Sequence, residues 1–91
     1  MKTASFCRRC SVVRVNTLCR LYEQGVETGD RQARKDLEFL VGIAADRGYV
    51  DGEGVLQPGL APSAVRALCW NISSLLTDHD FETRGIDLET R

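Results

Sequence analysis

Apolar residues recur at helical spacing in three stretches of this chain, with polar and turn-forming residues between them. From about residue 3 to residue 24, Phe6, Cys10, Val13, Thr17 and Leu21 fall on one stripe, which predicts a first helix. Val12, Val15 and Cys19 lie roughly opposite at about 100° per residue, so that helix carries a second, smaller apolar face. The β-branched Val12, Val13 and Val15 also fit a strand, and the pattern leaves that alternative standing.

Gly25, Thr28 and Gly29 interrupt the pattern before Asp30, whose short carboxylate suits an N-cap. A second helix is expected over about 30–47, with Gly48 in the position that favours a left-handed residue. Ala33, Leu37, Leu40, Val41 and Ala44 make its main stripe, and Phe39 and Ile43 broaden it well past one face. A helix apolar over so much of its circumference is expected to be buried on more than one side.

The turn-rich connector from Tyr49 to Ala61 reads as a loop, or as a short hairpin pairing Tyr49 and Val50 with Val55 and Leu56. Pro62 then suits the first turn of a third helix over about 62–77, where Val65, Leu68, Ile72 and Leu75 alternate by three and four with Cys69 and Leu76 beside them. Trp70 falls away from this stripe, on the side of Ala67, Ser73, Ser74 and Thr77. In the tail, 78–91, Asp80-Phe81-Glu82-Thr83-Arg84 nearly recurs as Asp87-Leu88-Glu89-Thr90-Arg91, but two copies do not define a repeat fold. Phe81, Ile86 and Leu88 give the tail apolar surface with which to dock. The fold class expected is mainly all-α: one domain over 1–91, three helices, a turn-rich connector and a docked C-terminal tail.

Length adds one constraint. Ninety-one residues leave room for a single core, and a core that small gains stability from association, so a homodimer is expected. The apolar share, 43%, excludes a disordered chain, while the apolar runs fall far short of the ~18 residues of a membrane span. No secretory pattern follows Met1, which leads to the expectation of a cytoplasmic protein whose four cysteines are free, inert thiols.

Charge is unevenly spread although the net value is only −1. Lys2, Arg8, Arg9, Arg14 and Arg20 occupy the first 22 residues without an acid, and Asp78, Asp80, Glu82, Asp87 and Glu89 dominate the end. This asymmetry implies either a basic face or complementarity between the two ends.

The chemistry on offer is sparse. Cys7-Arg8-Arg9-Cys10 has thioredoxin-like spacing with cations that favour a thiolate, but no βαβ pattern surrounds it. Zinc would need four ligands from Cys7, Cys10, Cys19, Cys69 and His79, and the second half of the chain lacks a matching pair. His79 sits between two aspartates without an identifiable nucleophile and reads as a helix-end residue near a C-terminal dipole. No catalytic residue, metal or cofactor is therefore expected, and the chain reads as a non-enzyme.

What remains is binding. The preferred expectation is a small intracellular regulator or adaptor that docks on a protein, as an inhibitor of a transcription factor or enzyme. Its partner or dimer interface would draw on Trp70, Val12, Val15, Phe39, Ile43 and Phe81. The alternative is nucleic-acid binding through Arg8, Arg9, Arg14 and Arg20, weakened by a sequence pI of 5.8 and by the lack of interleaved aromatic or amide residues.

Overall fold

Among the described residues, four α-helices form where three are expected. The computed structural model describes the backbone of residues 8–49 and 52–88 and the side chains of 12–49 and 54–88. Helix α1, Arg8–Tyr22, includes the valine run that also suited a strand. Packing decides between the two: Val15 and Leu18 are fully buried on a helix that contacts both α2 and α3. Residues 3–7 of the expected first helix lie outside the described residues.

The chain does not break at Gly25 but continues through a five-residue π turn, Glu23–Glu27. There the π turn presses on the next helix, and a Cβ at Gly25 would sit 2.5 Å from the Arg34 nitrogen and 2.7 Å from its Cα. Gly25 is thus a contact point between backbones, which no side chain can occupy without displacing one of them.

Helix α2, Arg31–Asp46, starts where the pattern places it. The Asp30 carboxylate accepts the Gln32 and Ala33 amides at 3.0 and 3.4 Å. Its buried side chains are Ala33, Leu37, Leu40, Val41 and Ala44, the main stripe read from the sequence. Gly48 follows with φ +110°.

The connector is not a hairpin. Gly52–Leu56 forms a turn of 3₁₀ helix, and no strand occurs among the described residues. Val50 and Asp51 of the expected hairpin lie outside them. An isolated two-stranded hairpin is marginal in water, whereas the 3₁₀ turn drives Val55 fully into the core beside α2 and α3.

Helix α3, Pro62–Ser73, ends short of Thr77. Near its end the Ser73 hydroxyl donates to the Trp70 carbonyl at 3.0 Å and the Ser74 hydroxyl to the Asn71 carbonyl at 2.7 Å, a local competition that weakens helix continuation. Val65, Cys69, Ile72 and Leu76 are the core positions, while Leu68 and Leu75 are half-buried. The core stripe is therefore rotated slightly from the one expected.

Helix α4, Asp78–Arg84, forms within the tail, where the pattern predicts no helix. Thr77 and Asp80 form a reciprocal capping box, and Gly85 closes the helix at φ +80° with the Ile86 amide donating back to the Phe81 carbonyl at 2.9 Å. His79 accordingly lies in the first turn of α4, not at the end of a longer α3. No helix among the described residues is long and apolar enough to cross a membrane.

Candidate functional site

Two basic residues of the first helix, Arg14 and Arg20, are engaged within the chain. The Arg14 Nη1 atom donates to the Asp78 carboxylate at 2.8 Å, its side chain only 11% exposed, and Arg20 Nη2 donates to the Asp87 carbonyl oxygen at 3.1 Å. Of the two readings of the charge asymmetry, complementarity between the ends is the one seen at these residues. The side chains of Arg8 and Arg9 lie outside the described residues.

The expected interface residues separate. Val15 and Phe81 are fully buried in the chain's own core and offer nothing to a partner in this fold. The reason is the central placement of α1, which is covered on several sides, and the capped α4, which turns Phe81 inward. Val12, Phe39 and Ile43 are half-buried. The ring of Phe39 is covered by Arg84 at 5.2 Å, and Arg84 in turn pairs with Asp36 at 3.0 Å. Trp70 remains as the one large apolar side chain that is exposed, at 39%, among the described residues. Ala67, Asn71 and the C-cap Ser74 around it are also exposed, whereas Ser73, expected on the same side, is buried.

A second feature was not among the expected sites. A cleft of about 490 Å³ opens between the end of α1, the π turn and the start of α3, lined by Cys19, Tyr22, Glu27, Leu60, Val65 and Arg66 among others. One wall is a fixed polar network. The Tyr22 hydroxyl shares its proton between the Glu27 carboxylate at 2.8 Å and the Gln57 carbonyl at 2.9 Å, and it accepts the Leu60 amide at 3.2 Å. Glu27 also accepts the Gly59 amide at 2.8 Å, and this bond first, then Tyr22, holds its carboxyl below the usual range. Burial and the neighbouring carboxylate raise the Tyr22 phenol.

The other wall carries two thiols. Cys19 of α1 is half-buried, and Cys69 of α3 is fully buried. Interaction with the Cys69 thiol first, and then the Arg66 guanidinium, draws Cys19 down to about 7 against the opposing effect of burial. Interaction with the Cys19 thiol, and burial, push Cys69 up. Arg66 is held in turn near α1 by Asn16 at 3.4 Å.

The expectation of inert thiols rests on a reducing compartment and on the lack of a matching ligand pair in the second half of the chain, and neither bears on a contact between helices. One local signal was available: Arg66 and Cys69 are three apart on a single helix face. Among the described residues, no group of three or more histidine, cysteine or acidic side chains is arranged to hold a metal. Cys7 and the Cys10 side chain lie outside them. Comparison with protein-family models, with curated proteins and with solved structures finds no match.

Proposed function

We propose that this protein acts by binding another protein, as a small cytoplasmic regulator or adaptor without catalytic activity of its own, and that it self-associates as a two-fold dimer. The exposed Trp70 carries the reading. A tryptophan left in solvent on the outer face of a helix, among small and polar neighbours that allow close approach, is a typical anchor of a protein interface. In this arrangement the three longer helices form the scaffold, and the tail docks on them through α4. Inhibition, by covering the assembly surface of a transcription factor or enzyme, is the mode we favour.

The nucleic-acid alternative has less support, because Arg14 and Arg20 already serve contacts within the chain. Light scattering coupled to size exclusion tests the dimer. More than one chain per particle is expected for the parent at high micromolar concentration, with Trp70→Ala shifting toward monomer at unchanged helical content. A clean monomer in both, together with unaltered capture of protein partners by the variant, overturns the proposal.

A further inference from the structure

The reading above leaves Cys19, Cys69 and Arg66 without a role. The two thiols belong to different helices, α1 and α3, which pack against each other, and Cys69 lies one turn beyond Val65 and Arg66, the α3 residues that line the cleft together with Cys19. The pair is asymmetric in access. Cys19 faces the cleft and a small solute can reach it, while Cys69 lies behind it, wholly shielded. A cation borders the exposed member. An accessible thiol beside a positive charge with a second thiol in reach is the arrangement that two-cysteine redox sensors need.

We infer that Cys19 and Cys69 are a redox pair, with small hydroperoxides entering the cleft to oxidise Cys19 and Cys69 then closing an intramolecular disulfide between α1 and α3. In the first step the Cys19 thiolate attacks the terminal peroxide oxygen, the O–O bond breaks, and the alkoxide or hydroxide leaves with a proton from the Cys69 S–H. Cys19 is now a sulfenic acid. In the second step the Cys69 thiolate attacks the Cys19 sulfur, the S–O bond breaks, and the hydroxide leaves as water by taking from solvent the proton that Cys19 gave up on ionising. Two thiols lose two electrons, and one hydroperoxide becomes an alcohol, or water in the case of hydrogen peroxide, plus one water.

The groups that set the Cys19 charge are Arg66 and Cys69 from α3, with Glu23, Glu27 and Tyr22 lining the same cleft. The final S–S distance, about 2.05 Å, requires the two sulfurs to close on each other by side-chain movement between helices already packed. The product is a staple that ties α1 to α3.

Tryptic mapping of the full chain after treatment with a stoichiometric amount of hydrogen peroxide tests this directly, because trypsin places Cys19 in the peptide 15–20 and Cys69 in the peptide 67–84, apart from Cys7 and Cys10. The expected product is those two peptides joined, lighter by two hydrogens than the separate thiols and released by dithiothreitol. In Cys69→Ser, a dimedone-type probe should instead trap a sulfenic acid at Cys19.

Alkylation of Cys19 by iodoacetamide in the unmodified chain gives a readout that needs no core substitution. Its rate should reach half-maximum near pH about 7, and Arg66→Gln should slow it roughly two- to threefold at that pH. Peroxide products linked through Cys7 or Cys10 while Cys19 and Cys69 stay reduced overturn the inference, as does sulfinic acid at Cys19 beside a free Cys69.

Discussion

Gly25 and Asp80 show how much a single position decides here. Gly25 meets the α2 backbone with no space for a Cβ, and backbone atoms cannot swing aside as a long side chain can. Gly25→Ala should therefore cost about 1–3 kcal/mol, despite its higher helix propensity, as read by urea denaturation. Asp80 accepts the Thr77 amide at 2.7 Å and pairs with Arg47 through both oxygens at 2.8 and 3.2 Å. The guanidinium first, and then the Thr77 amide, hold its carboxyl below the usual range, against the effect of burial. A depressed folded value means that this stabilisation is complete above the ordinary carboxylate range and is lost as pH falls through that range toward the folded value. Asp80→Asn should cost about 1–2 kcal/mol near neutrality and flatten the acid limb of a stability-versus-pH curve. A variant with the parent's acid sensitivity would count against this account. Neither residue's role was legible in the sequence, where Gly25 looked like punctuation and Asp80 like one tail acid among several, because each depends on a neighbour distant along the chain.

At the scale of elements, helix α2 was read well and α4 was missed, for one reason. The start of α2 rests on a local cap and its face on a regular stripe, both visible in the sequence. Helix α4 has only seven residues, too few for a periodic signal, and its Thr77 cap was hidden inside an expected continuation of α3. What fixes it is tertiary: Phe81 in the core, Arg47 at Asp80 and Arg14 at Asp78. Removing the Asp78 carboxylate leaves the largely buried Arg14 without its ion-pair partner. Asp78→Ala should destabilise the protein by less than the ~3–5 kcal/mol typical of a pair buried on both sides, because Asp78 itself is half-exposed. Thermal unfolding of the variant, alone and with Arg14→Met, checks it. The double variant should recover part of the loss, and simple additivity would show that the pair is not coupled.

For the whole molecule, the split of charge between the two ends is bridged at Arg14 and Asp78, and the apolar excess becomes a core with Trp70 left outside. That side-chain orientation was legible, because Trp70 lies away from the α3 stripe under any small rotation of it. Val15 and Phe81 were misplaced because periodicity cannot tell a second buried face from an exposed one. Trp70→Ala should thus lower stability by less than the ~3–5 kcal/mol of a core tryptophan, with its larger effect on association. Parallel denaturation and light-scattering measurements separate the two, and a core-sized loss of stability would argue that Trp70 serves the fold instead.

The Tyr22 and Glu27 clasp has a kinetic consequence for the segment it holds. Gly59 and Leu60 belong to no helix, so their amides would ordinarily trade hydrogen for deuterium nearly as fast as an unstructured peptide. Each donates instead to a side chain of the first helical segment, Gly59 to Glu27 and Leu60 to Tyr22. Isotope exchange at these two positions should then be slowed in step, through opening of the clasp and not through fraying of a helix. Tyr22→Phe should release Leu60 first, and Glu27→Ala should release Gly59, giving two exchange rates that report on the mouth of the cleft from within an irregular loop.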